Sequence, residues 1–292
     1  MRKTMEDRII ETIVYIVLTI LMLIVVFPMI SVVSTSLVSA LEIARRRLVI
    51  WPEMIDLTAY KSLFSEGSII LNGFRITIFR IVIGTSLNLI FTYFVSFALA
   101  NRKLPGRGAI TFFFFFTMLF GGGLIPYYIV VRSTGLINNF WVFIIPGLMS
   151  VWNMLLIRNF IMAVPESIFE SAEIDGAMEL QIIFIIVLPL SIPALVTIGL
   201  FYAVGHWNSW WDAYLFTSKP DLAPIQLVLR DILARANITV NALSAKAASE
   251  IKPPSRAIQN AAVIVTTVPI VLIYPFLQRY FIKGVMVGAV KG

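Results

Sequence analysis

Acidic and small residues alternate in a short polar segment that lies between two hydrophobic stretches. Glu166, Glu170 and Glu173 are spaced by four and three residues, so a helix places them along one face. Ala172 and Gly176 have small side chains that let another surface approach the backbone closely. This pattern indicates binding to another protein, because a short amphipathic helix of this kind suits a groove in a partner. A solvated loop helix with an acidic first turn is the simpler alternative.

The spacing of this segment resembles the EAA loop of permeases in bacterial binding-protein-dependent ABC importers. That pattern reads Glu-Ala-Ala, three residues, Gly, nine residues, Ile, one residue, Leu-Pro. The residues at these spacings here are Glu170, Ala172, Gly176, Ile186, Leu188 and Pro189. Ser171 replaces the first Ala, which is a change between small residues.

The resemblance implies that this loop is a coupling helix that docks in a cleft of a separate ATPase subunit. It assigns six residues to this coupling: Glu170, Ala172, Asp175, Gly176, Leu188 and Pro189. A rigid docked helix would move the span that follows it, which gives the loop a mechanical function.

The elements that would position this loop are membrane spans. Hydrophobic residues make up 59% of the chain and charged residues 13%, about half the charged share of a soluble domain. Crossing the hydrocarbon core takes about 20 apolar residues in a helix. Six stretches are long enough: 13–37, 69–100, 109–131, 140–162, 182–207 and 261–282. We therefore predict an all-α integral membrane protein of type I ABC importer permease fold, with one permease domain at 13–292.

The orientation follows from charge together with the resemblance. Arg102, Lys103 and Arg107 lie in the loop between the second and third spans, which the positive-inside rule assigns to the cytoplasm. The loop after the first span is also basic, so charge alone is ambiguous, and the cytoplasmic ATPase partner decides the question. We expect a multi-pass protein of the bacterial inner membrane with both termini, including residues 1–12, in the cytoplasm. The coupling loop 165–180 is then cytoplasmic and the loop 208–258 is outside.

Three consecutive arginines, Arg45, Arg46 and Arg47, follow the first span on the outer side. Contact with phospholipid headgroups is one explanation. The other is an electropositive vestibule that attracts an anionic solute.

Further segments resemble the maltose-type, sugar-importing branch, in particular its second permease. They are 135–139, 207–212 and the carboxyl-terminal tail 283–292, which in that branch reaches into the ATPase interface. The resemblance implies a permease that alternates between inward-open and outward-open states. Its partners would be a second permease subunit, two ABC ATPases that hold ATP and Mg²⁺, an extracytoplasmic solute-binding protein, membrane lipid and a saccharide. No cofactor on this chain, no catalysis by it and no nucleic acid partner are expected.

Polar residues within spans are candidates for the translocation path. These are Asn88, Tyr93, Asn153 and Tyr202. Each is equally suited to hydrogen bonding between helices. Trp207 belongs to an aromatic cluster that could stack on sugar rings or form an interfacial belt; the cluster comprises His206, Trp207, Trp210, Trp211 and Tyr214.

Two other classes of function, a transporter or channel acting alone and an intramembrane enzyme, need polar groups within the spans that this sequence has in very small number. A secondary transporter or channel acting alone needs buried ionisable groups for ion coupling. An intramembrane enzyme needs paired catalytic groups, whereas His206 has no obvious neighbouring carboxylate. Arg75, Arg80 and Arg158 are expected to reach to headgroups. The solute is expected to be an oligosaccharide, either an acidic one such as a uronate oligomer or a neutral one.

Overall fold

The computed structural model describes residues 5–46, 48–241 and 255–289, with side chains described at 5–46, 48–235 and 255–275. Arg47, residues 242–254 of the loop at 208–258 and the side chains of the tail 283–292 lie outside the described residues. Every regular element in the described ranges is helical, which confirms the predicted fold class. Within these ranges, four helices are long and apolar enough to cross a membrane, or six if each of two bent pairs is one span.

Twelve α-helices follow one another along the described chain. Their bounds are α1 Met5–Ser36, α2 Ala40–Arg45, α3 Thr58–Leu63, α4 Ile69–Ala100, α5 Arg107–Leu119, α6 Leu124–Ser133, α7 Val151–Met162, α8 Glu166–Ile174, α9 Glu179–Asn208, α10 Trp211–Phe216, α11 Ile225–Asn241 and α12 Arg256–Ala289. Short 3₁₀ turns occupy Phe140–Phe143, Ile145–Gly147 and Pro220–Leu222.

The predicted third and fourth spans are not continuous helices. The third consists of α5 and α6, which meet at 116° across residues 120–123. Gly123 there has φ 85°, a left-handed conformation that favours glycine. The fourth consists of Phe140–Gly147 and α7, bent by 51°. Pro146 has no N–H to donate to a helical hydrogen bond, which explains the break.

The described residues divide into two compact units, and the single permease domain at 13–292 stays a prediction. One lies within Met1–Ser68 and Leu229–Pro269, the other within Ile69–Val228 and Ile270–Gly292. The second unit has a core between α4, α7 and α9, built on buried residues such as Tyr93, Ile157 and Val187. Burial of these side chains fixes the three helices that carry the loop with α8.

Two of the long helices contain a π-helical segment, at Arg80–Gly84 in α4 and Ile182–Val187 in α9. Such segments widen the helix locally and are frequent at functional sites. At Gly84 a Cβ atom would lie 2.5 Å from Nε2 of His206 in α9. The absence of a side chain at Gly84 therefore allows α4 and α9 to approach one another.

Candidate functional site

α8 ends in a cap that requires glycine. Gly176 has φ 78°, and its N–H donates to the carbonyl of Glu173 at 3.1 Å. The N–H of Ala177 donates to the carbonyl of Ala172 at 2.9 Å. These two bonds form a Schellman motif, in which the residue after the C-cap Asp175 adopts the left-handed conformation. Any residue with a Cβ would add about 1 kcal/mol of strain at this position.

Ala172 lies on the inner face of α8. It is 7% exposed and belongs to the core cluster that contains Tyr93 and Ile157. Its small side chain lets α8 pack closely against α4 and α7. A partner that approaches α8 from outside the chain would first meet the neighbours of Ala172, and the role of Ala172 in coupling stays a prediction.

The acidic face of α8 is turned towards the basic loop of the same chain. Glu166 accepts a hydrogen bond from Arg102 at 3.0 Å, and Glu173 pairs with Lys103 at 2.8 Å. Glu170 lines a cavity of 390 Å³ together with these four residues. The hydrogen bond from Lys103 to Glu173 and the charge of Glu173 raise the pKa of Lys103 above 10.5. The lysine is therefore charged at neutral pH and attracts α8 to the loop.

An exposed apolar surface follows the acidic face. Ile174, Met178 and Leu180 are 86%, 75% and 64% exposed, and we call these three residues the α8 patch. Asp175 is exposed beside it, and a Cβ atom at Gly176 would meet no atom within 4 Å. Large apolar side chains at such exposure, within seven residues of one another in the sequence, are typical of an interaction surface.

Leu188 and Pro189 stand where α9 returns from the π-helical segment to regular helix. Leu188 packs against the core cluster, whereas Pro189 is exposed. A proline ring clashes with the carbonyl four residues earlier, here that of Ile185. The wider π-helical turn provides room for this ring, so the Leu-Pro pair and the segment before it form one structural feature.

A second polar centre surrounds Arg80, which is 3% exposed. Its Nη1 donates to Oδ1 of Asp212 at 3.1 Å, and its Nη2 pairs with Oδ2 of the same carboxylate. Its Nε donates to Nδ1 of His206 at 3.1 Å. The guanidinium carbon lies 5.0 Å from the ring centroid of Phe143, which adds a cation–π contact. We call Arg80, Asp212, His206 and Asn88 the buried polar network.

Arginine has only donors, so the direction of this network is determined. Nδ1 of His206 accepts from Arg80, and the ring proton therefore lies on Nε2, which donates to Oδ1 of Asn88 at 2.8 Å. The amide nitrogen of Asn88 donates to the carbonyls of Gly147 and Leu148 at 2.9 and 2.7 Å. The network thereby joins α4, α9, α10 and the turn before α7.

The expected reach of the span arginines to headgroups was wrong for Arg80, because partners within the protein satisfy its guanidinium. Arg158 is half-buried, and its Nε donates to the carbonyl of Leu99 at 3.0 Å. Arg75 is exposed, with its guanidinium 5.7 Å from the ring centroid of Phe79.

The expectation that His206 has no neighbouring carboxylate also needs correction. Asp212 lies six positions further along the chain and reaches His206 through Arg80. The available signal was an arginine within an apolar span and an aspartate among the aromatic residues after another span. The sequence did not indicate that the two would meet.

The five candidates for the translocation path are buried in the chain, between 0% and 8% exposed. The hydroxyl of Tyr93 donates to the carbonyl of Ile183 at 2.8 Å. The hydroxyl of Tyr202 lies 2.7 Å from Oγ1 of Thr92 and accepts from the N–H of Ser150 at 2.9 Å. These contacts, with those of Asn88, connect helices to one another.

The remaining two candidates are Asn153, 7% exposed in α7, and Trp207, whose ring centroid lies 6.2 Å from that of Phe74. The aromatic cluster is thus divided. His206 and Trp207 are buried, whereas Trp211 and Tyr214 are 48% and 51% exposed. The exposed pair is the part of the cluster that other molecules can reach.

No protein-family model matches this sequence. The sequence is 38% identical over 288 residues to the polygalacturonan/rhamnogalacturonan transport system permease protein YtcP of Bacillus subtilis, covering 99% of this chain and 100% of that protein. It is 36% identical over 269 residues to protein LplC of the same organism, covering 92% and 90%. A chain in the crystal structure of a bacterial ABC transporter involved in the import of the acidic polysaccharide alginate superposes with a TM-score of 0.85 at 29% identity, covering 96% of this chain and 99% of that one.

Proposed function

Because the chain belongs to the permease subunits of bacterial ABC importers for carbohydrates, we propose that it forms one half of the pathway by which an acidic oligosaccharide enters the cytoplasm. One relative is named for polygalacturonan and rhamnogalacturonan, and the similar structure belongs to a transporter of the acidic polysaccharide alginate. The net charge of +7 is consistent with an anionic solute. A solute with uronate residues fits these observations better than a neutral one.

One observation carries the coupling role: α8 packs inward through Ala172, and the exposed α8 patch lies at its end, on Ile174, in the connection after it, on Met178, and at the start of α9, on Leu180. Burial of these three large apolar side chains by an ATPase would supply affinity for the end of α8 and the start of α9. Asp175 and Gly176 border the same surface, and the open space at Gly176 lets the partner approach the backbone. Glu170 does not border this surface; it lines the cavity that Arg102 and Lys103 also line.

The movement would pass from α8 to α9. The two helices are separated by residues 175–178, and the Schellman motif with the core contact of Ala172 limits their independent motion. Leu188 and Pro189 then transmit the displacement into the regular part of α9. ATP and Mg²⁺ are bound by the two ATPase subunits, and this chain contributes the lever.

The orientation and the remaining partners complete the proposal. α8 and the loop with Arg102, Lys103 and Arg107 face the cytoplasm, as do both termini. A second, different permease subunit supplies the other half of the pathway, and an extracytoplasmic binding protein delivers the solute. Asn88, Tyr93, Asn153, Tyr202 and Trp207 set the helix arrangement behind the pathway wall, since each is buried within this chain.

The test is the ATPase rate of the complex purified with its partners and reconstituted with its binding protein. We expect stimulation by oligogalacturonates and little stimulation by their methyl esters, which have the same sugar rings without the charge. A neutral maltooligosaccharide is the second control. Stimulation by the neutral sugars alone would refute the acidic solute. Failure to capture any ATPase subunit would refute the importer role.

A further inference from the structure

A second cavity, of 350 Å³, lies in the unit that contains α1 and the beginning of α12. The last turns of α1, the segment after α2 and the first turns of α12 form its walls. In the proposed orientation it opens at the outer side of the membrane. Its polar lining consists of two hydroxyls, one amide and two guanidinium groups, from Ser31, Thr35, Asn260, Arg46 and Arg256.

The two guanidinium groups of this cavity differ in their partners. Nη1 of Arg46 is 3.2 Å from carboxylate oxygens of Glu42 and Glu53 and is neutralised by them. Arg256 is exposed and has no ion pair in the part of the chain that the structure describes. No carboxylate is among the described residues that line the cavity, so Arg256 is the guanidinium there that remains available to an anion.

The polar and apolar groups of the lining are of the types that bind a sugar with a carboxylate. A guanidinium binds a carboxylate through two parallel hydrogen bonds. Ser31, Thr35 and Asn260 provide donors and acceptors for sugar hydroxyls, and Phe27 with Pro28 provides an apolar wall for a ring face. A volume of 350 Å³ is within the usual range of ligand pockets, about 300 to 1,000 Å³.

We propose that this cavity is a subsite for one uronate residue of the solute, with Arg256 as the carboxylate ligand and Arg46, whose charge Glu42 and Glu53 offset, as part of the polar lining. The subsite rests on the proposed function for its orientation and for the class of solute. An electropositive vestibule is one of the two interpretations of the three arginines after the first span. Of these, Arg46 lines the cavity, whereas Arg45 is exposed outside its lining.

The test uses the whole complex in nanodiscs of phosphatidylcholine, without binding protein, and fluorescently labelled trigalacturonate as the probe. We expect saturable binding that the trimethyl ester does not reproduce. Arg256→Gln should weaken binding about tenfold or more, because a hydrogen-bonded charge is lost. Arg256→Lys should lose less, because it keeps the charge without the fork. Arg132→Gln removes an exposed cation from α6, outside the cavity lining, and should bind as the wild type does.

Equal binding of trigalacturonate by the wild type and Arg256→Gln, or equal binding of the ester, would overturn the subsite. So would absence of saturable binding. A phospholipid phosphate offers similar anionic oxygens, so the same variants are heated in nanodiscs with and without phosphatidylglycerol. Stabilisation by that lipid that Arg256→Gln abolishes, without trigalacturonate binding, would identify a headgroup site and refute the proposal. In all these outcomes an oligosaccharide-stimulated ATPase rate would leave the proposed function intact, and its absence in the wild type would refute that function separately.

Discussion

The two polar regions of the larger unit use the same ion-pair chemistry in opposite surroundings. At α8, Arg102–Glu166 and Lys103–Glu173 are pairs whose side chains are all more than half exposed. Around Arg80, the guanidinium side chain is 4% exposed and its partner Asp212 is 23% exposed. The regions are separated by about 30 Å along α4, as 20 residues of helix imply.

This difference assigns the regions different mechanical roles. Exposed pairs are weakened by water and salt, so they can open and close without a large change in free energy. A buried pair is expensive to break, because one charge would remain without a partner. The contacts of α8 can therefore rearrange during a transport cycle, whereas the buried polar network keeps α4, α9 and α10 together as one body.

The largest effect is expected for Asp212→Ala. It leaves the charge of Arg80 buried without its carboxylate, which should lower the free energy of unfolding by about 3–5 kcal/mol. The measurement is the thermal unfolding midpoint of the purified complex, together with the amount of the chain in the membrane. Asp221→Ala is the matched control, since Asp221 is exposed. If both variants unfold at the same temperature, the buried pair of Arg80 and Asp212 does not stabilise the protein more than an exposed carboxylate does.

A second version of this test removes both charges. Arg80→Met with Asp212→Leu should recover much of the stability that Asp212→Ala loses, because two apolar side chains of similar volume need no partner. A double variant as unstable as the single one would mean that the remaining bonds of Arg80, to His206 and the carbonyl of Phe143, determine the loss.

Gly84→Ala should lower the free energy of unfolding by about 1–3 kcal/mol, because the new Cβ would lie 2.5 Å from Nε2 of His206. Gly205→Ala is the control: it also adds a Cβ within a long helix, one residue from His206, but no atom lies within 4 Å of it. The thermal midpoint should fall only for the first variant. Similar values for the two would show that the close contact of α4 and α9 is not needed.

Gly176→Asp should have a smaller effect on stability, about 1 kcal/mol from the left-handed conformation, and a larger effect on coupling. The carboxylate would hold an ATPase away from the α8 patch. We expect normal membrane levels and loss of solute-stimulated ATPase activity. Gly106→Asp places the same side chain at a similar φ of 71°, outside the α8 patch, and should remain coupled. Retained stimulation in Gly176→Asp would remove α8 from the mechanism.

The smallest effect is expected for the exposed pair at α8. Lys103→Glu should reduce coupling slightly, and adding Glu173→Lys should restore it, with both differences disappearing at high salt. The hydrogen bond to Glu173 and its charge raise the pKa of Lys103 above its ordinary value, so the lysine is charged at neutral pH and loses its charge only as the pH rises through the raised pKa. Coupling should therefore be independent of this pair's titration at neutral pH. If Lys103→Glu still reduces coupling at high salt, the pair of Lys103 and Glu173 is not an exposed, salt-screened contact.

The two regions also differ in how much of them the sequence could predict. The α8 loop is local: its glutamates, Ala172 and Gly176 lie within eleven residues, so their spacing indicated a helix and its end. Its role in coupling came from the resemblance and stays a proposal. The inward direction of Ala172 depended on packing against α4 and α7, which spacing alone does not give. The partners of Arg80 are 126 and 132 positions away in the sequence. From the sequence alone, an arginine in a membrane span is expected to extend to the lipid headgroups. Only the folded arrangement brings such residues together.

Thiol labelling tests the central claim, that the α8 patch is the surface that receives the ATPase. The chain has no cysteine, so Ile174→Cys introduces a single reactive group on an exposed side chain. We predict fast reaction with a maleimide when this chain and its permease partner are purified alone, and strong protection in the complete complex. Met54→Cys, whose residue is 79% exposed in the other unit, should react at the same rate in both preparations. Equal labelling of Ile174→Cys with and without the ATPase would contradict the account.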